Sequence, residues 1–213
     1  MAAMSWQPVL PSQALRRADD IVAGFINGEE LALWRSVDGV AQAWENRCPH
    51  RGTRLTLGRI LGGRLSCAYH GWEFEAGTGS CSHIPAQPQQ PAPQGVCVKT
   101  WRVAEVQGMV WVSSRAIDAA APALAARAEQ QFCRSLSVRL AGEALQQRLR
   151  ALGFAESEPC IWRGELGGVP AILYLTEAKT DWTMLHLFTS TADQAIVATQ
   201  ASRRLRDAIE EGA

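Results

Sequence analysis

Two short patterns bring metal-ligating side chains together, Cys48-x-His50 and Cys67-x-x-His70. They use two of the chain's four histidines and two of its six cysteines. Thiolate sulfur and imidazole nitrogen in one set suit zinc or an iron–sulfur centre. Each pair is short enough to sit on one tight loop. The residues between His50 and Cys67 leave room for a strand that brings the two loops side by side. Gly52 and Gly71 stand beside the ligands, where the lack of a Cβ lets backbone N–H groups approach a sulfide closely. A zinc finger usually pairs cysteine with cysteine and histidine with histidine along the chain. Here each loop offers one of each, which suits a two-iron centre with both thiolates on one iron and both imidazoles on the other. On spacing alone a zinc site stays open.

The elements that must hold these loops read as β-rich up to about residue 114. Residues 31–45 form two apolar runs around Asp38-Gly39, a favoured hairpin turn. Residues 72–81 repeat the idea around Gly77 and Gly79, and residues 96–112 form two more strands broken at Gln107-Gly108. Residues 85–95, rich in Pro and Gln, cannot be a central strand, because proline removes ladder donors; an extended surface loop is expected. The predicted boundaries are 1–115 for the first domain, 116–131 for an alanine-rich linker and 132–213 for a small α+β domain of order β-α-β-β-β-α. In the latter, residues 142–153 are helical with a terminal glycine. Three strands then meet turns at Gly167-Gly168 and residues 179–181, and Ala198, Ala201, Leu205 and Ala208 mark an amphipathic helix.

With 213 residues, 47% hydrophobic and 20% charged, the chain suits one large or two small packed domains. Lys and Arg equal Asp and Glu at 21 each, which argues against nucleic acid or an anionic membrane as partner. No run of eighteen apolar residues and no basic, apolar leader is present, so the expected location is the cytoplasm. Six scattered cysteines are too sparse for a disulfide scaffold, and a Cys/His cluster in a reducing compartment favours metal.

CPHRG…CAYHGW resembles the Rieske motif of the Rieske non-haem iron oxygenases. The likeness extends through LALWRSVDGVAQAWENRCPHRG, YHGWEFEAGTGSC, the following IPA and GMVWV, about half the chain. It implies a mainly β Rieske domain, an antiparallel β-sandwich with an inserted cluster-binding subdomain. It also implies a [2Fe–2S] cluster bound by Cys48, His50, Cys67 and His70. Rieske proteins of respiratory complexes add a cysteine to each ligand loop and a serine that donates to a sulfide; neither loop here has a further cysteine. Fewer donors imply a potential near the low end of the Rieske range, roughly −150 mV. Rieske domain plus short α+β tail also resembles the Rieske segment that opens certain N-demethylase reductases, AWENRCPHRGTRLTLG in particular.

An oxygenase of this family also needs a mononuclear iron held by two close histidines and a carboxylate. Only His83 and His186 remain, far apart in sequence. The chain by itself is therefore not expected to activate O₂, and no catalytic residue is assigned. His83 is expected on a solvent-facing loop, His186 in the core with a hydrogen bond, and Cys81, Cys97, Cys133 and Cys160 as buried small apolar residues. Arg47, Arg51, Arg54, Arg59 and Arg64 could steer an acidic partner or form a solvated surface. The expected function is single-electron transfer from a flavin or ferredoxin-type reductase to a mononuclear iron oxygenase or demethylase. The first alternative is an oxygenase subunit whose iron site lies in another chain, and the second a zinc-binding structural module. Reduction should raise the imidazole pKa values through the added negative charge.

Overall fold

The computed structural model describes residues 6–17, 19–113, 121–122 and 130–211. Of the linker expected over 116–131, residues 116–120 and 123–129 lie outside the described residues, and Gln131 already belongs to a strand. Every strand pairing is antiparallel. The first sheet contains β1 (Trp6–Pro11), β2 (Val22–Ile26), β3 (Glu29–Arg35), β4 (Ala41–Glu45), β9 (Thr100–Val106) and β10 (Met109–Ser113), in the order β1-β10-β9-β4-β3-β2. Between β4 and β9 the chain inserts a four-stranded sheet of β5 (Arg59–Leu61), β6 (Arg64–Ser66), β7 (Glu73–Phe74) and β8 (Cys81–His83). This is the expected β domain with its inserted subdomain.

The hairpin turns fall where Asp38-Gly39 and Gln107-Gly108 place them, and residues 85–95 form no strand. His83 differs from expectation. It lies on β8 and not in a loop, is half-buried, and pairs across strands with Glu73. Cys97 is exposed, while Cys81, Cys133 and Cys160 are only half-buried.

The second half forms a five-stranded sheet in the order β11-β15-β14-β13-β12. Its elements are β11 (Gln131–Val138), α1 (Gly142–Ala151), β12 (Ala155–Glu158), β13 (Ile161–Leu166), β14 (Val169–Lys179), β15 (Trp182–Thr189) and α2 (Ala192–Glu210). The order is thus β-α-β-β-β-β-α, one strand more than expected. The additional β12, sequence AESE, is an edge strand with exposed charged side chains, so it lacks the apolar pattern that marks a strand. α2 begins six residues before the expected start, where Thr191 Oγ1 accepts from Gln194 N–H as an N-cap.

Alternation along individual strands explains how the sheets stack. On β3, Leu31 and Leu33 enter the core inside the curled first sheet, while Ala32 and Trp34 face the inserted subdomain. On β10, Val110 and Val112 enter the same inner core, while Met109 and Trp111 point outward into a seam with Ile161, Ile172, Tyr174 and Phe188 of the second sheet. The opposite face of the second sheet, with Leu173, Leu175, Leu185 and Leu187, carries α1 and α2. Polar contacts cross the seam too: Thr176 Oγ1 donates to the Pro8 carbonyl, and Asn27 and Gly28 N–H donate to Glu177 and Ala178 carbonyls.

His186 sits in this seam, buried, with Ser135 Oγ 2.8 Å from its Nδ1. Desolvation outweighs the pull of the nearby Val9 carbonyl and brings its pKa down to about 4. The unfolded chain therefore binds a proton here at pH values where the folded chain does not. The associated stability is complete above about pH 6.5 and is lost as pH falls towards 4, an effect of about 3 kcal/mol. Chemical denaturation between pH 7 and 4 should show a markedly shallower decline for His186→Gln than for the parent chain. Parallel declines would show that other groups govern acid sensitivity.

Candidate metal centre

The two loops that carry the predicted ligands are built alike. The first follows β4 and the second joins β6 to β7. In the first, Cys48 N–H donates to Thr53 O and Gly52 N–H returns to Cys48 O, each at 2.8 Å. In the second, Cys67 N–H donates to Trp72 O at 2.9 Å and Gly71 N–H returns to Cys67 O at 3.0 Å. Each cysteine thus opens a one-turn i→i+4 loop that a left-handed glycine closes, Gly52 at φ 73° and Gly71 at φ 70°. Only glycine adopts that conformation without Cβ strain.

The turns present sulfur inward and imidazole outward. Cys48 and Cys67 are both buried in the core that Trp34, Trp44, Leu55 and Phe74 build beneath the inserted subdomain. Burial, and secondarily the neighbouring Cys67, push the Cys48 thiol up to about 11, while the backbone N–H groups of His50 and Arg51 pull it down. A buried sulfur with backbone donors aimed at it suits a thiolate held by a cation. His50 and His70 lie nearer the surface with ring centroids 4.7 Å apart. His50 stacks flat on Trp72 at 4.3 Å, and Tyr69 leans on the exposed His70 at 3.9 Å. Burial, then His70 and Arg51, lower the His50 pKa, which favours the neutral ring that metal ligation requires. Donor types, burial and backbone N–H groups all fit an iron–sulfur cluster. Among the described residues, no group of three His, Cys, Asp or Glu side chains converges on one point. His83 and His186 are not brought together; they occupy different sheets.

The sequence did not reveal the groups that brace these loops. Asn46, buried just before the first loop, donates to Glu30 Oε1 and Thr56 Oγ1 and accepts from Thr56 N–H, which ties the loop's two ends to β3. Beneath the second loop, Ser66 pairs with Glu73 across its mouth. Arg64 Nε lies 3.1 Å from the largely buried Glu73 carboxylate, and Ser66 Oγ donates to Gly71 O. A polar residue directly flanking each ligand loop was the available signal, but its partner is set by strand register.

No helix among the described residues is long and apolar enough to cross a membrane. The Rieske [2Fe–2S] domain family matches residues 5–110. "Oxidoreductase NdmD" of Pseudomonas putida is 44% identical over 108 residues, 51% of this chain and 18% of that protein. The "3-chlorobenzoate-3,4-dioxygenase oxygenase subunit" of Comamonas testosteroni is 38% identical over 108 residues, 50% of this chain and 25% of that protein. The chain therefore matches no more than a quarter of either relative's length. The solved structure of Pseudomonas putida CBB5 NdmA shares the fold, with a TM-score of 0.74 at 18% identity over 96% of this chain and 80% of that one. Both ligand-bearing loops lie within the matched segment, and the chain carries a Rieske [2Fe–2S] domain of the Rieske non-haem iron oxygenase type, with a Rieske-type [2Fe–2S] cluster as its cofactor.

Proposed function

We propose that this chain is a single-electron carrier that takes electrons from a flavin or ferredoxin-type reductase and delivers them to a terminal oxygenase or demethylase. The observation that carries this reading is the polarity of the site, with two buried cysteines on the inside and two close imidazoles at the surface. Cys48 and Cys67 would hold one iron, and His50 and His70 the other. When bound, the cluster supplies reversible one-electron storage. The protein's part is to favour the neutral His50 ring, shield its side with Trp72 and leave the His70 edge open to a partner.

Anaerobic purification, iron, sulfide and zinc assays and EPR after dithionite reduction test this reading. The expected result is a red-brown protein with iron and sulfide in equal amounts, about two of each per chain, and a rhombic signal once reduced. A colourless protein with one zinc and no sulfide would eliminate electron transfer and leave a structural role for the four ligands. The likeness to an NdmA structure over nearly the whole chain favours a second reading, an oxygenase subunit completed by iron in another chain. O₂ consumption that requires a stably bound, iron-bearing partner would favour it.

A further inference from the structure

The two ligand loops are braced by different chemistry. An amide braces the first: the Asn46 side chain bonds Glu30, Thr56 Oγ1 and Thr56 N–H. A charge braces the second. Glu73 is the one Asp or Glu that is buried among the described residues. Arg64 Nε lies 3.1 Å from its Oε2, yet that oxygen is buried and accepts no hydrogen bond. The Arg64 side chain is 38% exposed and that of Glu73 only 11%, so solvent screens the cation more than the anion. Burial of a carboxylate costs free energy that one half-exposed counter-ion returns only in part. A brace needs no such charge, as Asn46 shows. A buried charge is felt strongly by whatever centre lies beside it.

Strand register fixes where this charge stands. Arg59, Ser66, Glu73 and His83 lie directly opposite one another across β5, β6, β7 and β8. Directly opposite residues share a face of a sheet. On that face Ser66 Oγ donates to the Gly71 carbonyl within the second ligand loop. Ser66 precedes Cys67, and Trp72, which stacks on His50, precedes Glu73. A cross-strand Cα pair spans about 5 Å and one peptide step about 4 Å, which puts the Glu73 backbone within about 9 Å of Cys67.

We propose that Glu73 is a fixed, buried negative charge that lowers the reduction potential of the cluster, and that Arg64 limits how far. Reduction adds negative charge at the centre. Glu73 disfavours that state, and Arg64 favours it more weakly because it is the more exposed of the two. No bond is made or broken at either residue, and no proton moves. The proposal rests on Cys48, His50, Cys67 and His70 holding the cluster, and adds a group that sets its potential.

The test is a redox titration of the full cluster-loaded chain, followed by visible absorbance at about pH 7.5, above the ordinary imidazole pKa. Glu73→Gln should raise the potential. At a fixed applied potential its ratio of reduced to oxidised chain should rise about threefold or more, equivalent to about 28 mV for one electron. Arg64→Gln should lower the potential. Glu73→Asp, which keeps the charge, should lie closer to the parent than to Glu73→Gln. The Glu73→Gln shift should persist at high salt, because a buried charge is screened little. Any shift in Arg59→Gln, an exposed cation in the same row, should vanish there. The EPR signal of the reduced state and the visible circular dichroism should be the same in every variant, because the charge acts through space and the ligands stay in place.

A cluster-loaded Glu73→Gln with an unmoved or lowered potential overturns the proposal. So does a shift that Glu73→Asp matches, or one that comes with an altered EPR signal; either would make Glu73 a geometric brace only. Should Glu73→Gln take up no iron, Arg64→Gln decides, and an unmoved or raised potential there overturns the proposal. A parent chain without iron and sulfide sinks the reading of the centre itself, and the proposal with it.

Discussion

Gly71→Ala is expected to leave the chain folded but largely without its cluster. Gly71 has a φ of 70°, and a Cβ built there would lie 2.9 Å from Pro85 Cγ. The left-handed conformation costs an alanine about 1–2 kcal/mol, and the contact with a proline ring adds about 1 kcal/mol more. A total of about 2–3 kcal/mol reduces occupancy of the ligand-ready loop by a factor of roughly 30 to 150. The penalty falls on the N–H that closes the turn onto Cys67 and on the residue next to His70. Gly77→Ala is the control: its φ of 77° carries the same backbone strain, but nothing lies within 4 Å of the new Cβ. Iron and sulfide per chain, visible circular dichroism and far-ultraviolet circular dichroism separate the outcomes. Full iron content and an unaltered visible spectrum in Gly71→Ala would show that Pro85 yields and that the loop is not the constraint inferred here.

Trp111→Ala should be among the most destabilising single changes outside the ligand loops, by about 3–5 kcal/mol. Trp111 is 2% exposed, meets Tyr174 edge-on at 6.1 Å and donates through Nε1 to the Val106 carbonyl. Its removal empties the middle of the seam between the first and second sheets, where Met109, Ile172, Tyr174 and Phe188 cannot all collapse into the space. For a chain of this length the melting temperature should fall by roughly 6–20 °C. Limited proteolysis should also cut earlier within residues 130–211. Trp101→Ala, at a half-buried position on β9 covered by Lys99, should cost clearly less. A loss below about 1 kcal/mol at Trp111, with unchanged proteolysis, would mean that the two sheets hold together without this contact.

The metal motif was legible because its information is local: two cysteines and two histidines in tight loops, each closed by its own glycine. The hairpins were legible for the same reason, through Asp38-Gly39, Gln107-Gly108 and Gly167-Gly168. Non-local information was lost. Met109 and Trp111 alternate with Val110 and Val112, so β10 announced two apolar faces, but nothing in the sequence said that the outer face meets β14. Asn46, Arg64 and Glu73 are ordinary polar residues until strand pairing puts them against Thr56 and each other. β12 was hidden because an exposed edge strand has no core face to write into its sequence.

The position of β1 has a consequence for the order in which this protein can be made. β1 pairs with β10, and its Pro8 carbonyl and Gln7 side chain are completed by Thr176 and Glu177 from β14. β1 precedes every other described strand in the chain and is thus among the last of them to have its neighbours complete. Until residues 169–179 have emerged, Trp6, Met109 and Trp111 present an uncovered apolar strip on an otherwise formed domain. Such closure between distant parts of the chain is slow and exposes nascent molecules to aggregation. During synthesis the second half therefore acts as a late-arriving cover for the first.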